Sequence, residues 1–170
     1  MAEKSGFEQI VINLSRVAKV TEGGKTLKIR VVVVVGNKGG EVGLGIGKGY
    51  DTSEAIRKAV NEAMKNLIKV PIVNGTVPFE VKAKYKSAEV LIKPAKTGKG
   101  LIAGSIVRSI LYLAGYSDVS SKILGVTKSN LVNALATLKA LEKLAKTYEN
   151  KLKLKELLKN KTKNGSNTSN

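Results

Sequence analysis

Hydrophobic and polar positions alternate from Ile10 to Val20. Ile10, Ile12, Leu14 and Val20 fall on one side and Asn13, Ser15 and Lys19 on the other, which predicts a strand. Glu22-Gly23-Gly24-Lys25 is a turn, its paired glycines free to adopt positive φ. A second strand follows from Leu27 to Val35. Leu27, Ile29, Val31, Val33 and Val35 line one face, while Lys28 and Arg30 project from the other. Gly36-Asn37-Lys38-Gly39-Gly40 reverses the chain again. The third strand, Val42 to Lys48, sets Val42, Leu44 and Ile46 on a core face and Gly43, Gly45 and Gly47 opposite. A face built only of glycine leaves backbone bare, so another element or a partner can come very close.

From residue 52 the period changes to that of a helix, capped by Thr52 or Ser53. Ala55, Ile56, Ala59, Val60, Ala63, Met64, Leu67 and Ile68 form one apolar face that covers a side of the sheet, and Pro71 stops the element. Lys58, Lys65 and Lys69 lie on its far side and fit a solvated surface as well as a partner contact. Val73-Asn74-Gly75 marks a hinge. Thr76 to Tyr85 and Ala88 to Lys93 read as a strand pair, with Lys82, Lys84 and Lys86 in register. Leu101 to Ala114 is helical and ends at Gly115, and Val119 to Leu124 is a short strand. Ser129 or Asn130 opens a last helix that buries Leu131, Leu135, Leu138 and Leu141. After Leu144 the chain is lysine-rich and irregularly amphipathic, and Lys163 to Asn170 has the composition of a disordered end.

The expected fold class is therefore α+β in two domains. Residues 8–72 form a three-stranded antiparallel sheet plus a helix, residues 73–144 a ββαβα unit, and residues 145–170 a basic, partly disordered tail. At 170 residues the chain is long enough for a real core.

Charge narrows the partner. Lysine plus arginine total 30 against 13 acids, a formal net charge of +17. Residues 1–73 hold 12 basic and 7 acidic groups; residues 74–138 and 139–170 each hold 9 and 3. Each third is thus basic, which fits a polyanion running past the whole molecule and implicates nucleic acid. Aromatic residues are only 4%, too few for base stacking to dominate. A basic sheet backed by a helix suits double-stranded RNA, which is read through phosphates and 2′-hydroxyls. With strands preceding the helix, it would be a variant of the double-stranded-RNA-binding fold.

Enzyme chemistry finds little to work with. There is no cysteine and no histidine, which removes thiolate metal sites, the cysteine nucleophile and the usual general base. The P-loop pattern fails, since Gly47-Lys48 would need glycine at Val42 and Ser or Thr at Gly49. Gly98-Lys-Gly100-Leu-Ile-Ala103 approaches a dinucleotide fingerprint, but Pro94 to Thr97 separate it from the preceding strand. Its amides stay open to an anion such as an RNA phosphate. No carboxylate is expected near this loop as a base or magnesium ligand. No run of about 20 apolar residues crosses a membrane, and the N-terminus lacks a signal-peptide core, so a cytoplasmic location is expected.

Gly24-Lys25-x3-Ile29-x-Val31-x2-Val34-Val35-Gly36-Asn37-x2-Gly40-x-Val42-Gly43-x-Gly45 resembles the signature of the bacterial small-subunit ribosomal protein five family. AIRKAVNEAMKNLI at 55–68, VNGTVP at 73–78 and KPAKTGKGLIAGSIVRSILYLAG at 93–115 are also similar to that family. The likeness covers roughly residues 8–144; Ile29 departs from it, standing where the family usually carries an aromatic. It implies a second domain with a left-handed βαβ crossover, against the usual right-handed rule. It further implies a non-enzymatic structural constituent of the small subunit at the body–head junction, binding ribosomal RNA, touching small-subunit proteins four and eight, and contributing to translational accuracy. The loop Val20 to Lys25 would reach an RNA helix at the neck, and Gly104, Ser105 and Arg108 would face protein four.

The expected RNA-binding set is Arg16, Lys19, Gly23, Gly24, Lys25, Lys28, Arg30, Asn37, Lys48, Lys58, Lys96 and Lys99. No metal or cofactor is implied. Neutralising about eight phosphates would make log affinity fall with log salt at a slope of roughly −5 to −7. Two rivals are a free-standing RNA-binding regulator and, because the second domain also resembles the small-molecule kinase group, an ATP-binding enzyme.

Overall fold

A computed structural model describes residues 6–165 of the chain, with side chains through residue 155. Its organising feature is the run Val31 to Val35, every member of which is at most 1% exposed. The run lies in β2 (Gly24–Gly36), between β1 (Glu8–Thr21) and β3 (Glu41–Gly49). Val31, Val33 and Val35 pack against helix α1 (Thr52–Lys65), as expected. Val32 and Val34 are buried as well, in a second cluster shared with the C-terminal half of the chain. Five valines in a row satisfy both faces of a strand that is covered twice.

The three antiparallel strands and their helix are thus in place, with one addition. Helix α1 stops at Asn66, whose N–H bonds back to the Glu62 and Ala63 carbonyls. Leu67 and Ile68, expected on the helix, instead open β4 (Leu67–Lys69), paired with Glu41 to Gly43. Their apolar character served either element equally, and the free edge of β3 took them. The helix cap is Asp51, whose carboxylate accepts from the Ser53 N–H at 3.2 Å, one residue before the expected position.

The glycine face meets helix α1. A Cβ on Gly43, Gly45 or Gly47 would overlap the Ala63, Ala59 or Ala55 carbonyl oxygen, respectively. Two strand residues advance about 6.6 Å, and four helix residues about 6 Å. Alternate glycines and every fourth alanine therefore stay in step across three contacts. Val42, Leu44 and Ile46 point the other way, into the cluster shared with the second unit.

In β1 the expected alternation breaks. A bulge between Val11 and Asn13 places Asn13 opposite Val32 and Leu14 opposite Val31. Ile10 and Ile12 join the shared core, whereas Leu14 and Val20 turn to the opposite face and stay exposed. The extra residue inverts the parity of everything after it.

The second unit has β5 (Val81–Tyr85), β6 (Ala88–Pro94), β7 (Leu101–Ile102), α2 (Ser105–Ala114), β8 (Val119–Ile123) and α3 (Asn130–Gly165), with sheet order β5-β6-β8-β7. The strand expected from Thr76 starts only at Val81, since Val73 and Thr76 close a turn and Pro78 cannot donate to a ladder. Lys86 leaves the register of Lys82 and Lys84 for a turn at φ 51°. The helix expected from Leu101 begins at Ser105. Leu101 and Ile102 pair in parallel with Val119 and Ser120, making β7-α2-β8 a parallel βαβ unit. Helix α3 passes Leu144 without a break and runs to Gly165, so residues 145–165 are helical. Of the end expected to be disordered, residues 166–170 lie outside the described residues.

The segment read as a hinge is pinned. Val73 and Thr76 exchange backbone bonds of 2.9 and 3.0 Å, and the Gly75 carbonyl accepts from the Ser117 and Asp118 N–H groups. Lys38 and Gly40 donate backbone bonds to the Leu113 and Ala114 carbonyls at the end of α2. The Tyr116 hydroxyl donates to the Pro71 carbonyl at 2.9 Å. One continuous core with hydrogen-bonded flanks holds the two units together.

Candidate nucleic-acid interface

Opposite residues in a strand ladder project to the same face, so the register sorts the expected cations. Lys19 faces Thr26, Lys28 faces Val17, and Arg30 lies between Ser15 and Lys48. Lys19, Lys28, Arg30 and Lys48 therefore share the face that carries Val32 and Val34, continuing it beyond the second unit. Arg16 opposes Ile29 and Lys25 opposes Val20, which puts both on the α1 side. One expected set becomes two surfaces.

β3 ends opposite Ile29, so from Lys28 to the tip β1 and β2 run on as a two-stranded ribbon. Five residue pairs give a projection of about 16 Å. Gly23 and Gly24 form its exposed tip, where the Thr21 hydroxyl donates to the Gly24 carbonyl at 3.1 Å. Val20, Leu27 and Leu14 are 71%, 60% and 50% exposed on the α1-side face. A bare two-stranded ribbon is marginal in water, and one with cations on one face and exposed apolar residues beside Arg16 and Lys25 on the other is suited to docking.

Among the described residues, none of Lys19, Lys28, Arg30 and Lys48 has a carboxylate within ion-pair distance. Lys38, Lys58, Lys69, Lys82, Lys93 and Lys146 each have one. Lys28 instead sits 4.7 Å from the centre of the Tyr50 ring, a contact worth about 0.5–1 kcal/mol at an exposed site. Tyr50 is 70% exposed and was missed in the sequence. Extending the alternation two residues past Lys48 would have found it, because that parity carries Tyr50 to the face of Lys28.

The other expected residues scatter. Asn37 lies in the turn after β2, where its side-chain oxygen accepts from the Gly39 and Glu41 N–H groups and its amide donates to the Glu41 carboxylate. Its polar atoms are thus occupied in shaping that turn. Lys58 is on the outer face of α1, 2.6 Å from Glu54. Lys96 and Lys99 are exposed on the loop before β7. Gly104, Ser105 and Arg108 are exposed at the start of α2, and Arg108 with Tyr112 borders a cleft of about 480 Å³.

The glycine loop holds an anion of its own. Asp118 lies against it and accepts from the Gly100 N–H at 2.7 Å, so this carboxylate is engaged with the loop's own backbone. That bond first, then the Gly98 amide, the Ser117 hydroxyl and the Lys99 amide, hold its carboxyl below the ordinary aspartate range against the opposing effect of burial. The amides that could have bound an external phosphate are therefore taken. A depressed native pKa adds stability that is complete at neutral pH and fades as pH falls through it. Asp118→Asn is expected to lower the melting temperature at about pH 7. The gap to the unsubstituted protein should close in acid, as followed by thermal melts across pH; a gap independent of pH would count against this role.

With this geometry in view, comparison with known proteins decides the family. Residues 7–71 match the N-terminal domain model of ribosomal protein S5, and residues 83–154 match its C-terminal domain model. The chain belongs to the ribosomal protein S5 family. It is 50% identical over 139 residues to small ribosomal subunit protein uS5 of Thermotoga maritima, covering 81% of this chain and 77% of that one. The protein of the same name from Pseudothermotoga lettingae is 45% identical over 156 residues, 91% of this chain and 86% of the relative. That of Mycoplasmopsis synoviae is 43% identical over 155 residues, covering 88% and 62%. In S5 terms, the two model matches fall on the two sheets described above, and the second extends into α3 beyond Leu144.

Proposed function

We propose that this S5-family chain is a structural constituent of the small ribosomal subunit, located in the cytoplasm on the ribosome, and that it binds ribosomal RNA with the β1–β2 ribbon. The observation that carries this reading is the face bearing Lys19 and Lys28 on the projecting ribbon and Arg30 and Lys48 at its base, four cations with no carboxylate partner among the described residues. Arg16 and Lys25 add contacts from the other side and Gly23 and Gly24 allow close approach at the tip, so RNA would be held on both faces. Lys58, Lys96 and Lys99 extend the contacts outward. Family membership and this geometry together favour a position at the body–head junction, where a ribbon gripping RNA on two sides would brace moving parts and so affect accuracy. The exposed start of α2, with Gly104, Ser105 and Arg108, is the surface proposed for protein four, with protein eight as the further neighbour. The chain acts by binding and carries out no reaction of its own.

Sedimentation of cell extract at high and low magnesium tests this placement. The protein should stay with the small subunit after the subunits separate; recovery as free protein at the top of the gradient would refute it and favour a soluble RNA-binding regulator.

A further inference from the structure

A groove of about 380 Å³ runs between edge strand β5 and helix α3, far along the chain from the ribbon. Lys82 and Lys84 line it from the strand, and Lys139, Lys143 and Lys146 from the helix, with Glu142 the one acid among its lining residues. Lys146 answers Glu142 at 2.7 Å, and Lys82 answers Glu89 at 3.1 Å. Lys84 and Lys139 have no carboxylate in reach among the described residues. The Lys143 ammonium donates to the Lys82 carbonyl at 3.2 Å, which leaves its charge uncompensated.

We infer that this groove is a second RNA-binding site, taking a run of phosphodiester backbone; the inference rests on the RNA-binding reading above. Lysines on an edge strand also deter pairing with a stray strand, which would account for Lys82 and Lys84. It leaves the three helix lysines unexplained. Their spacing sets them about 6 and 4.5 Å apart along the axis, so successive charges of an extended polyanion could be met in turn.

The chemistry favours phosphate over an acidic peptide. No arginine lines the groove, so the fork that grips carboxylates in two-point fashion is absent, while lysine serves as a point charge for backbone phosphates. Beside the groove the half-buried Tyr85 ring has Lys139 and Lys86 at 5.8 and 5.9 Å, so an aromatic face helps to hold these cations in place.

The test uses full-length K84A/K139A/K143A with a small-subunit ribosomal RNA transcript. Its melting temperature should match the unsubstituted protein, and its salt slope should be shallower by about 2 to 3, near one unit per lysine. An unchanged slope, beside a slope flattened by substitutions on the ribbon, would overturn the groove site and leave the ribbon reading intact. Unchanged slopes for both would overturn both. A photo-crosslinking residue at Lys139, in assembled subunits, gives a readout independent of the triple variant's folding. RNA adducts are expected, and adducts with protein alone would reassign the groove to an acidic protein segment.

Discussion

Gly45→Ala, at the middle of the three glycine–alanine contacts, should strongly destabilise the protein. The new carbon would overlap the Ala59 carbonyl oxygen and crowd the Ala63 nitrogen, so both obstacles are helix backbone. A side chain could rotate aside; a hydrogen-bonded helix must move as a body. Movement would separate Gly43 from Ala63 and Gly47 from Ala55, because the three contacts share one helix. It would also loosen the cluster of Val31, Val33 and Val35 with Ala55, Ala59 and Ala63. Overpacking a well-filled core costs typically 1–3 kcal/mol. With backbone on both sides, a loss of about 3 kcal/mol or more is expected from a total of roughly 5–15 kcal/mol. Gly23→Ala is the matched control: nothing lies within 4 Å of its added carbon, and a change within about 0.5 kcal/mol is expected. Urea denaturation of both variants checks the pair. Equal midpoints would show that α1 does not ride directly on the glycine face.

The same contacts explain how much could be read beforehand. Alternation and turn chemistry placed β1, β2, β3 and α1 within a few residues, because each depends on local period. The glycine face was recognised as a site of close approach, yet a glycine carries no side chain to say what approaches. Helix α1, with alanine every fourth residue, was the answer; matching the two repeats would have supplied it. Val32 and Val34 were the stronger missed signal. Strands with one solvated face do not bury five valines in succession, so the run already implied a second layer. The bulge in β1 left no such mark, and it misassigned Leu14 and Val20. In α3 the lysines after Leu144 hid the helical period, although Lys151 lies 4.3 Å from the centre of the Phe79 ring and keeps that stretch against the second unit. Of the candidate site, residue type was legible and grouping was not. Which β2 face Arg16 and Lys19 join depends on parity past the β1 bulge, and that is settled by register.

That grouping makes the second large effect specific. K19A/K28A/R30A/K48A removes the four cations of one face that have no carboxylate partner among the described residues, while leaving the buried valines and the glycine–alanine ladder untouched. Each phosphate neutralised contributes about 0.7–0.9 to the slope of log affinity against log salt. The variant's slope should therefore be shallower by about 3. Between about 50 and 200 mM salt, a fourfold change, the unsubstituted protein would lose roughly 60-fold more affinity for small-subunit ribosomal RNA than the variant does. Lys28 should contribute beyond its charge, since its ammonium is held over the Tyr50 ring and so enters the complex partly ordered. A control with equal charge loss elsewhere, K65A/K122A/K128A/K155A, separates geometry from net charge. All four control residues are exposed, and they come from α1, β8, the loop before α3, and α3 itself. If RNA were attracted only by the overall charge of +17, the two variants would lose affinity alike. A ribbon that meets phosphates one by one predicts a flattened slope for the first variant and a nearly unchanged slope for the second. Filter binding across a salt series distinguishes these outcomes, and matching slopes for the two variants would rule out the ribbon as the principal RNA contact.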